Sequence, residues 1–80
     1  MMIKEAVVFR VKELCANYDM AINSLANEAG ITPSTIYTML NPKRKDIGVV
    51  TIKKICDGLN ISIDEFFCSD VFKKLEQEIR

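Results

Sequence analysis

The side chains able to catalyse a reaction or bind a metal are few in this chain, and its three cysteines are the first candidates. Cys15, Cys56 and Cys68 are odd in number, and their spacing fits neither a disulfide framework nor a zinc site. Histidine is absent, and so are a glycine-rich phosphate loop and paired carboxylates in apolar surroundings. We therefore expect reduced, buried thiols, no metal, no cofactor and no enzymatic activity.

The charged side chains favour a polyanionic partner because they are unevenly distributed. The formal net charge is zero, but residues 41–54 carry five basic side chains and one acidic side chain. Residues 55–80 carry six acidic and three basic side chains. A basic central stretch and an acidic tail would turn one side of the molecule toward phosphates and the other side away from them.

Length and composition predict one compact helical domain covering residues 1–80. Apolar residues make up 49% of the chain, which is too many for disorder, and three glycines and two prolines are too few for a β-meander. Charges interrupt the apolar patch at residues 7–9, so neither a signal peptide nor a membrane span is predicted. We therefore expect a cytoplasmic protein.

Five helices are predicted from apolar residues spaced three and four apart. Their expected spans are residues 3–18, 22–29, 33–40, about 49–59 and a fifth that begins after residue 62. Gly30 is expected to end the second helix in the left-handed conformation, and Asn60 is expected to end the fourth. Thr32 is expected to cap the third helix, and Ser62 with Glu65 to form a capping box for the fifth.

The inward faces of these helices predict the core. Its expected members are Leu25, Ile36, Ile52, Ile55 and Leu59. A further apolar stripe predicts that the last helix extends through residues 68–80; it consists of Cys68, Phe72, Leu75 and Ile79. This stripe either covers the chain's own core or pairs with its copy in a second subunit, and we expect the homodimer.

The second and third helices have the residues that a helix-turn-helix requires. Ala26 is small where the two helices approach, Gly30 provides the turn, and apolar residues fall on the inward faces. A family signature is recognisable in Leu25-Ala26, Gly30-Ile31-Thr32, Ile36, Met39 and Asn41. These residues resemble the Cro and phage-repressor family of helix-turn-helix proteins, also called lambda-repressor-like or XRE. The motif covers residues 22–41, and the likeness covers about residues 5–67.

This resemblance implies an all-α, five-helix domain that binds double-stranded DNA as a transcriptional regulator and acts as a repressor. The helix at residues 33–40 would lie in the major groove. Carried over from the family, the implied base-facing residues are Pro33, Ser34 and Thr38, with Thr35 and Tyr37 beside them and Asn41 near a phosphate. Lys43, Arg44 and Lys45 directly follow this helix, and from that position we expect them to contact phosphates. Hydroxyl groups bond several base edges, so each contact would discriminate modestly and DNA shape would share in the specificity.

The chain departs from this family at the start of the second helix. Ala21 and Ile22 stand where a polar cap and a phosphate-binding glutamine are usual. Asp19 or Asn23 could cap the helix instead.

A protein-interaction module on the same scaffold, such as an antitoxin or a phage-derived adaptor, is the alternative function. Zero net charge favours it, as does a third helix without Arg, Lys, Gln or Asn before Asn41. The basic loop at residues 43–45 favours DNA. Neither a small-molecule ligand nor a membrane contact is implied.

Overall fold

The polypeptide folds into five α-helices followed by a short 3-10 helix, as seen in a computed structural model that describes residues 1–44 and 46–79. The elements are α1 (Ile3–Asn17), α2 (Ile22–Ala29), α3 (Pro33–Leu40), α4 (Val49–Leu59), α5 (Ile63–Phe67) and the 3-10 helix (Asp70–Lys74). The all-α prediction is confirmed, and α2 and α3 have the predicted bounds. Within the described residues, no helix is both long and apolar enough to cross a membrane.

The predicted cap residues fix the helix ends. Gly30 and Asn60 have left-handed φ angles of 69° and 57° and end α2 and α4. The Thr32 hydroxyl accepts a hydrogen bond of 3.3 Å from a free N–H of α3. At α5, the Ser62 hydroxyl accepts from the N–H of Glu65 at 3.1 Å, which is the serine half of the predicted capping box.

One apolar core fills the space among the helices. Leu25, Ile36 and Ile55 are fully buried, and Ile52 and Leu59 are each 7% exposed, which confirms the predicted core. Further buried side chains include Val7, Val11, Leu14, Cys15, Ala26, Ala29, Ile31, Met39, Cys56 and Phe66. Because every helix contributes side chains to this one core, packing fixes which face of α3 remains exposed.

The backbones of α2 and α4 touch because Gly58 has no side chain. A Cβ atom on Gly58 would lie 2.8 Å from the amide nitrogen of Ala29 and 2.9 Å from the carbonyl carbon of Glu28. Both distances are too short for real Cβ atoms, so this position requires glycine. The periodicity of apolar residues gave no indication of this contact.

The end of α1 differs from the prediction. The helix ends at Asn17, and Tyr18, predicted on its apolar face, is 48% exposed. Tyr18 is the C-cap, with φ −96° and ψ 6°, and Asp19 after it has a left-handed φ of 51°, so the chain leaves the helical path after Asn17. Neither Asp19 nor Asn23 caps α2, whose first residues have no side-chain cap.

Two of the three cysteines are buried, and the third is not. Cys15 and Cys56 are buried free thiols, and burial raises the pKa of both. Cys68 is an exposed free thiol, so its predicted burial is wrong. The reason is that α5 has already ended when the chain reaches this residue.

The C-terminal segment differs most from the prediction. α5 ends at Phe67 and does not extend through residues 68–80, and the chain after Lys74 is not helical up to Ile79. The segment instead returns along α1. Ser69 Oγ donates to Glu13 Oε1 at 3.2 Å, and the N–H of Ile3 donates to Glu78 Oε2 at 3.1 Å.

The predicted apolar stripe is divided by this fold-back. The ring centroid of Phe72 lies 4.9 Å from that of Phe67 and 6.3 Å from that of Phe66, so Phe72 packs on the chain's own core. Leu75 is half-buried, whereas Ile79 is 87% exposed. A straight helix would leave the stripe unpacked in a single chain, whereas folding back buries Phe72 and pairs a free amide of α1.

Candidate nucleic-acid interface

The turn between α2 and α3 sets the angle at which α3 is presented. Beyond the left-handed Gly30, the N–H of Ile31 donates to the carbonyl oxygen of Ala26 at 2.9 Å, which closes the turn. α3 then packs inward through Ile36, which is fully buried, and Met39, which is 6% exposed. Anchored along this side, α3 turns its opposite face to solvent.

Hydroxyl groups line the exposed face at the start of α3. Thr32 Oγ1 lies 2.8 Å from Thr35 Oγ1 and 3.4 Å from Ser34 Oγ, so the three hydroxyls form one hydrogen-bonded cluster. One turn later, the Thr38 hydroxyl donates to the carbonyl oxygen of Ser34 at 2.8 Å. Because its proton is used within the helix, Thr38 offers oxygen lone pairs and a methyl group to a partner.

The other predicted residues of α3 are exposed as well. Pro33 is the first residue of the helix, and the side chain of Tyr37 is 54% exposed. Hydrogen bonds join Ser34 and Thr35 through Thr32, while Tyr37 lies outside this cluster. All five predicted residues of α3 are therefore accessible to a partner.

The loop after α3 is ordered by Asn41. Its Oδ1 accepts from the N–H of Lys43 at 2.9 Å, and its backbone oxygen accepts from the N–H of Arg44 at 3.0 Å. This arrangement leaves the side-chain nitrogen of Asn41 to donate elsewhere. The side chains of Asn41, Lys43 and Arg44 are exposed, and Lys45 lies outside the described residues.

A lysine from α1 holds this loop in place. Lys4 Nζ donates to the carbonyl oxygen of Asn41 at 2.9 Å and to that of Arg44 at 2.6 Å, so one ammonium group bridges two points of the loop. These partners are 37 and 40 residues away along the chain. A local sequence pattern therefore gives no signal for Lys4, and sequence reasoning missed it.

The basic side chains differ in how their charges are paired. Within residues 1–44 and 46–79, Lys43 and Arg44 form no ion pair. Lys53 on α4 pairs with Asp57 one turn later, and the hydrogen bond and the charge of that carboxylate raise the pKa of Lys53. Lys53 is thus neutralised locally, whereas the loop cations are left to attract phosphates.

α3 is an exposed helix that carries hydroxyl groups and follows a tight turn. After it comes a loop in which Lys43 and Arg44 form no ion pair within the described residues. This arrangement is typical of DNA-binding helix-turn-helix domains. The family described as the Cro/C1-type HTH DNA-binding domain matches residues 10–68 of this chain. The chain belongs to the Cro/C1-type family. The matched region includes α2 to α5 and more than half of α1.

A similar protein is found in Bacillus subtilis (strain 168), where it is named the uncharacterized HTH-type transcriptional regulator YvzC. The two sequences are 31% identical over 64 residues, which cover 80% of this chain and 82% of YvzC. No solved structure matches the chain significantly. These similarities confirm the family inferred from the residues of α2 and α3, and they make the chain a DNA-binding protein of the transcription-regulator type.

Proposed function

We propose that this Cro/C1-type protein is a sequence-specific repressor that reads double-stranded DNA with α3 in the major groove. The observation that supports it is the continuity of the exposed hydroxyl face of α3 with the unpaired cations of the following loop. Base edges are read by hydrogen bonds and methyl contacts, and phosphates are bound by cations, so the two parts have complementary roles.

Within this proposal, Pro33, Ser34, Thr35, Tyr37 and Thr38 lie against base edges. The phosphate contacts come from the residues that follow, namely Asn41, Lys43, Arg44 and Lys45. Since Thr38 donates its proton to Ser34, it accepts hydrogen bonds from amino groups of bases or touches a thymine methyl. Such contacts discriminate modestly, so sequence-dependent DNA shape contributes the remaining specificity.

Repression follows from occupancy, because a protein bound across a promoter blocks access to it. We expect this regulator to act in the cytoplasm. Two copies bound to a palindromic site would place two α3 helices about 34 Å apart, which compensates for the weak readout of each. A promoter fusion to a reporter, measured with and without the protein, should show lower expression when the protein is present.

Major-groove reading can be tested on a site selected from a randomised duplex library. Replacing thymine by uracil removes only a major-groove methyl, whereas replacing guanine by inosine removes only a minor-groove amino group. We expect at least one uracil substitution to weaken binding and the inosine substitutions to have a smaller effect, which arises only through DNA shape. The reverse pattern, or no site enriched from the library, would contradict the proposal.

An interaction module remains the second candidate function, and α3 itself favours it. Its exposed face carries hydroxyl groups but no Arg, Lys, Gln or Asn ahead of Asn41. If the protein is an interaction module, it should not bind duplex DNA measurably even at low salt. No site would then be enriched from the randomised library, so the same selection separates the two functions.

A further inference from the structure

The outer face of α1 carries apolar side chains that the core does not use. Phe9 is 51% exposed, and Val8 beside it is half-buried. Phe9 separates two shallow grooves, one walled by Leu40 and Pro42 and the other by Val71. This face lies away from the buried side of the helix, which packs on the core through Val7, Val11 and Leu14.

Two oppositely charged residues lie at equal distances along the sequence on either side of Val8 and Phe9. Glu5 lies three residues before Val8, and Lys12 lies three residues after Phe9. At about 100° per residue, positions 5 and 12 fall between positions 8 and 9, so the four share one side of the helix, a sector of about 100°. Glu5 and Lys12 are two turns apart, which is too far for an ion pair with each other, and within the described residues Lys12 has no ion-pair partner.

We propose that this α1 face, defined as Glu5, Val8, Phe9 and Lys12, binds the same face of a second copy of the chain. The two α1 helices run antiparallel about a two-fold axis that passes between Val8 and Phe9. Glu5 of one protomer then lies opposite Lys12 of its partner, and Val8 lies opposite Phe9. Each pair occurs twice, as a two-fold interface requires.

The spacing of the charges is the reason for choosing a second copy as the occupant. An arbitrary partner helix needs no symmetry in this surface, whereas an antiparallel copy needs a positive and a negative side chain equally far from the centre. Ala16 is exposed one turn beyond Lys12, and its small side chain allows the ends of the two helices to approach. The interface is distinct from the C-terminal stripe, whose Phe72 is already packed on its own chain.

One helix pair buries less surface than the roughly 1,200 Å² typical of stable interfaces, so the association is weak and depends on concentration. Sedimentation equilibrium from micromolar to millimolar concentration, without DNA, measures it directly. We expect a reversible monomer–dimer equilibrium. Phe9→Ser should abolish the dimer while the circular dichroism spectrum stays that of a folded helical protein.

A charge exchange gives the decisive comparison. Glu5→Lys and Lys12→Glu, each alone, place like charges opposite each other at two points and should weaken the dimer by about tenfold or more. The double variant with both changes restores opposite charges and should regain most of the original affinity. Lys54→Glu on α4 makes the same charge change away from this face and should leave the dimer intact.

The double variant also distinguishes a loss of charge pairing between the two subunits from a loss of stability in α1. Glu5 Oε1 accepts from the N–H of Met2 at 3.0 Å, so Glu5→Lys also removes a helix cap, and Lys12→Glu does not restore it. A wild type that stays monomeric at every concentration, or a double variant as dissociated as the single ones, would overturn the proposal. Because no DNA is present, either failure leaves the proposed DNA-binding function untouched.

Discussion

The hydroxyl groups of α3 are not equivalent at the scale of single residues. Thr32, Ser34 and Thr35 share hydrogen bonds at the helix start, so their protons can rearrange when a partner arrives. The proton of Thr38 is committed to the carbonyl of Ser34. Thr38 is therefore restricted to accepting a hydrogen bond or making a methyl contact.

Replacement of Thr38 should change which base is preferred at one position. Thr38→Ala removes the oxygen and the methyl, and should alter that preference by about 1 kcal/mol. Thr38→Val keeps a methyl and loses the oxygen, so it retains the preference only if a thymine methyl is the contact. Competition binding with single-base variants of the selected site measures both effects. Identical preferences for wild type and Thr38→Ala would remove Thr38 from the readout.

The cysteines should differ sharply in reactivity. Burial raises the pKa of Cys15 and Cys56, which lowers their thiolate fraction at neutral pH, while Cys68 is exposed. A disulfide reagent that reports released thiolate should therefore modify one thiol rapidly in the folded protein and all three in denaturant. Cys68→Ser should eliminate the rapid phase. If the rapid phase persists in that variant, a buried cysteine is accessible.

Single residues were predictable from sequence where their role depends on near neighbours. Gly30, Thr32 and Asn60 act within one helical turn, and their residue types alone indicate caps and stops. Lys4 and Gly58 contact segments that are distant in sequence, so the spacing of residues along the chain could not predict their roles. The predicted DNA contacts on α3 prove to be exposed, but their role in binding stays a prediction.

At the scale of elements, the close approach of α2 and α4 positions the whole helix-turn-helix. Gly58→Ala should destabilise the protein by roughly 1–3 kcal/mol, because the added methyl meets the backbone of Ala29 rather than a movable side chain. This loss outweighs the gain of about 1 kcal/mol in helix propensity.

Gly48→Ala is the control for adding a methyl group at α4 without a clash, although Gly48 is the N-cap, where alanine is less favourable than glycine, so a small loss of stability is expected here too. A Cβ on Gly48 would meet only Thr51 Oγ1, at 3.7 Å, which is an ordinary contact. Urea denaturation of the two variants compares their free energies of unfolding. Equal stability of Gly58→Ala and Gly48→Ala would show that the two helices are not in backbone contact.

The bridge from α1 to the basic loop should order that loop before DNA binds. Lys4→Met keeps the length of the side chain but removes both hydrogen bonds to Asn41 and Arg44. Amide hydrogen exchange of Asn41, Lys43 and Arg44 should become faster, and DNA affinity should fall with little change in melting temperature. Lys12→Met removes the same charge from α1 and should leave exchange in the loop unchanged. Slow exchange in Lys4→Met would mean that the loop is ordered without the bridge.

On the scale of the whole molecule, the fold of residues 3–67 followed from periodicity, but the C-terminal segment did not. Phe72 has the spacing of a continued helix, yet its position is decided by the aromatic pocket that Phe66 and Phe67 provide. The spacing of apolar residues predicts which side chains become buried, but it does not predict which surface covers them. The homodimer stays a prediction, and its expected surface moves from the C-terminal stripe to the α1 face.

The fold keeps the division of charge seen in the sequence only in part, because Glu78 lines one groove together with Lys4, the residue that holds the basic loop. The unpaired cations of the loop adjoin α3, while the acidic C-terminal segment returns along α1, where Glu78 accepts from a backbone amide. Under the proposed function, the phosphate contacts would be concentrated in one short loop despite zero net charge. DNA affinity should accordingly depend on that loop more than on any other basic side chains.

The most direct test of DNA binding by α3 and its loop is a titration of duplex DNA at several salt concentrations. Three proteins are compared: the wild type, the double variant Lys43→Ala with Arg44→Ala, and the control Lys73→Ala with Lys74→Ala, which removes the same charge from the 3-10 helix. Wild-type affinity should fall steeply with salt. The loop variant should bind all sequences more weakly, with a slope of log affinity against log salt that is flatter by about 0.9 for each phosphate that the protein no longer neutralises. The control should keep the wild-type slope. No binding by the wild type at low salt, or a loop variant with unchanged affinity and slope, would contradict the assignment.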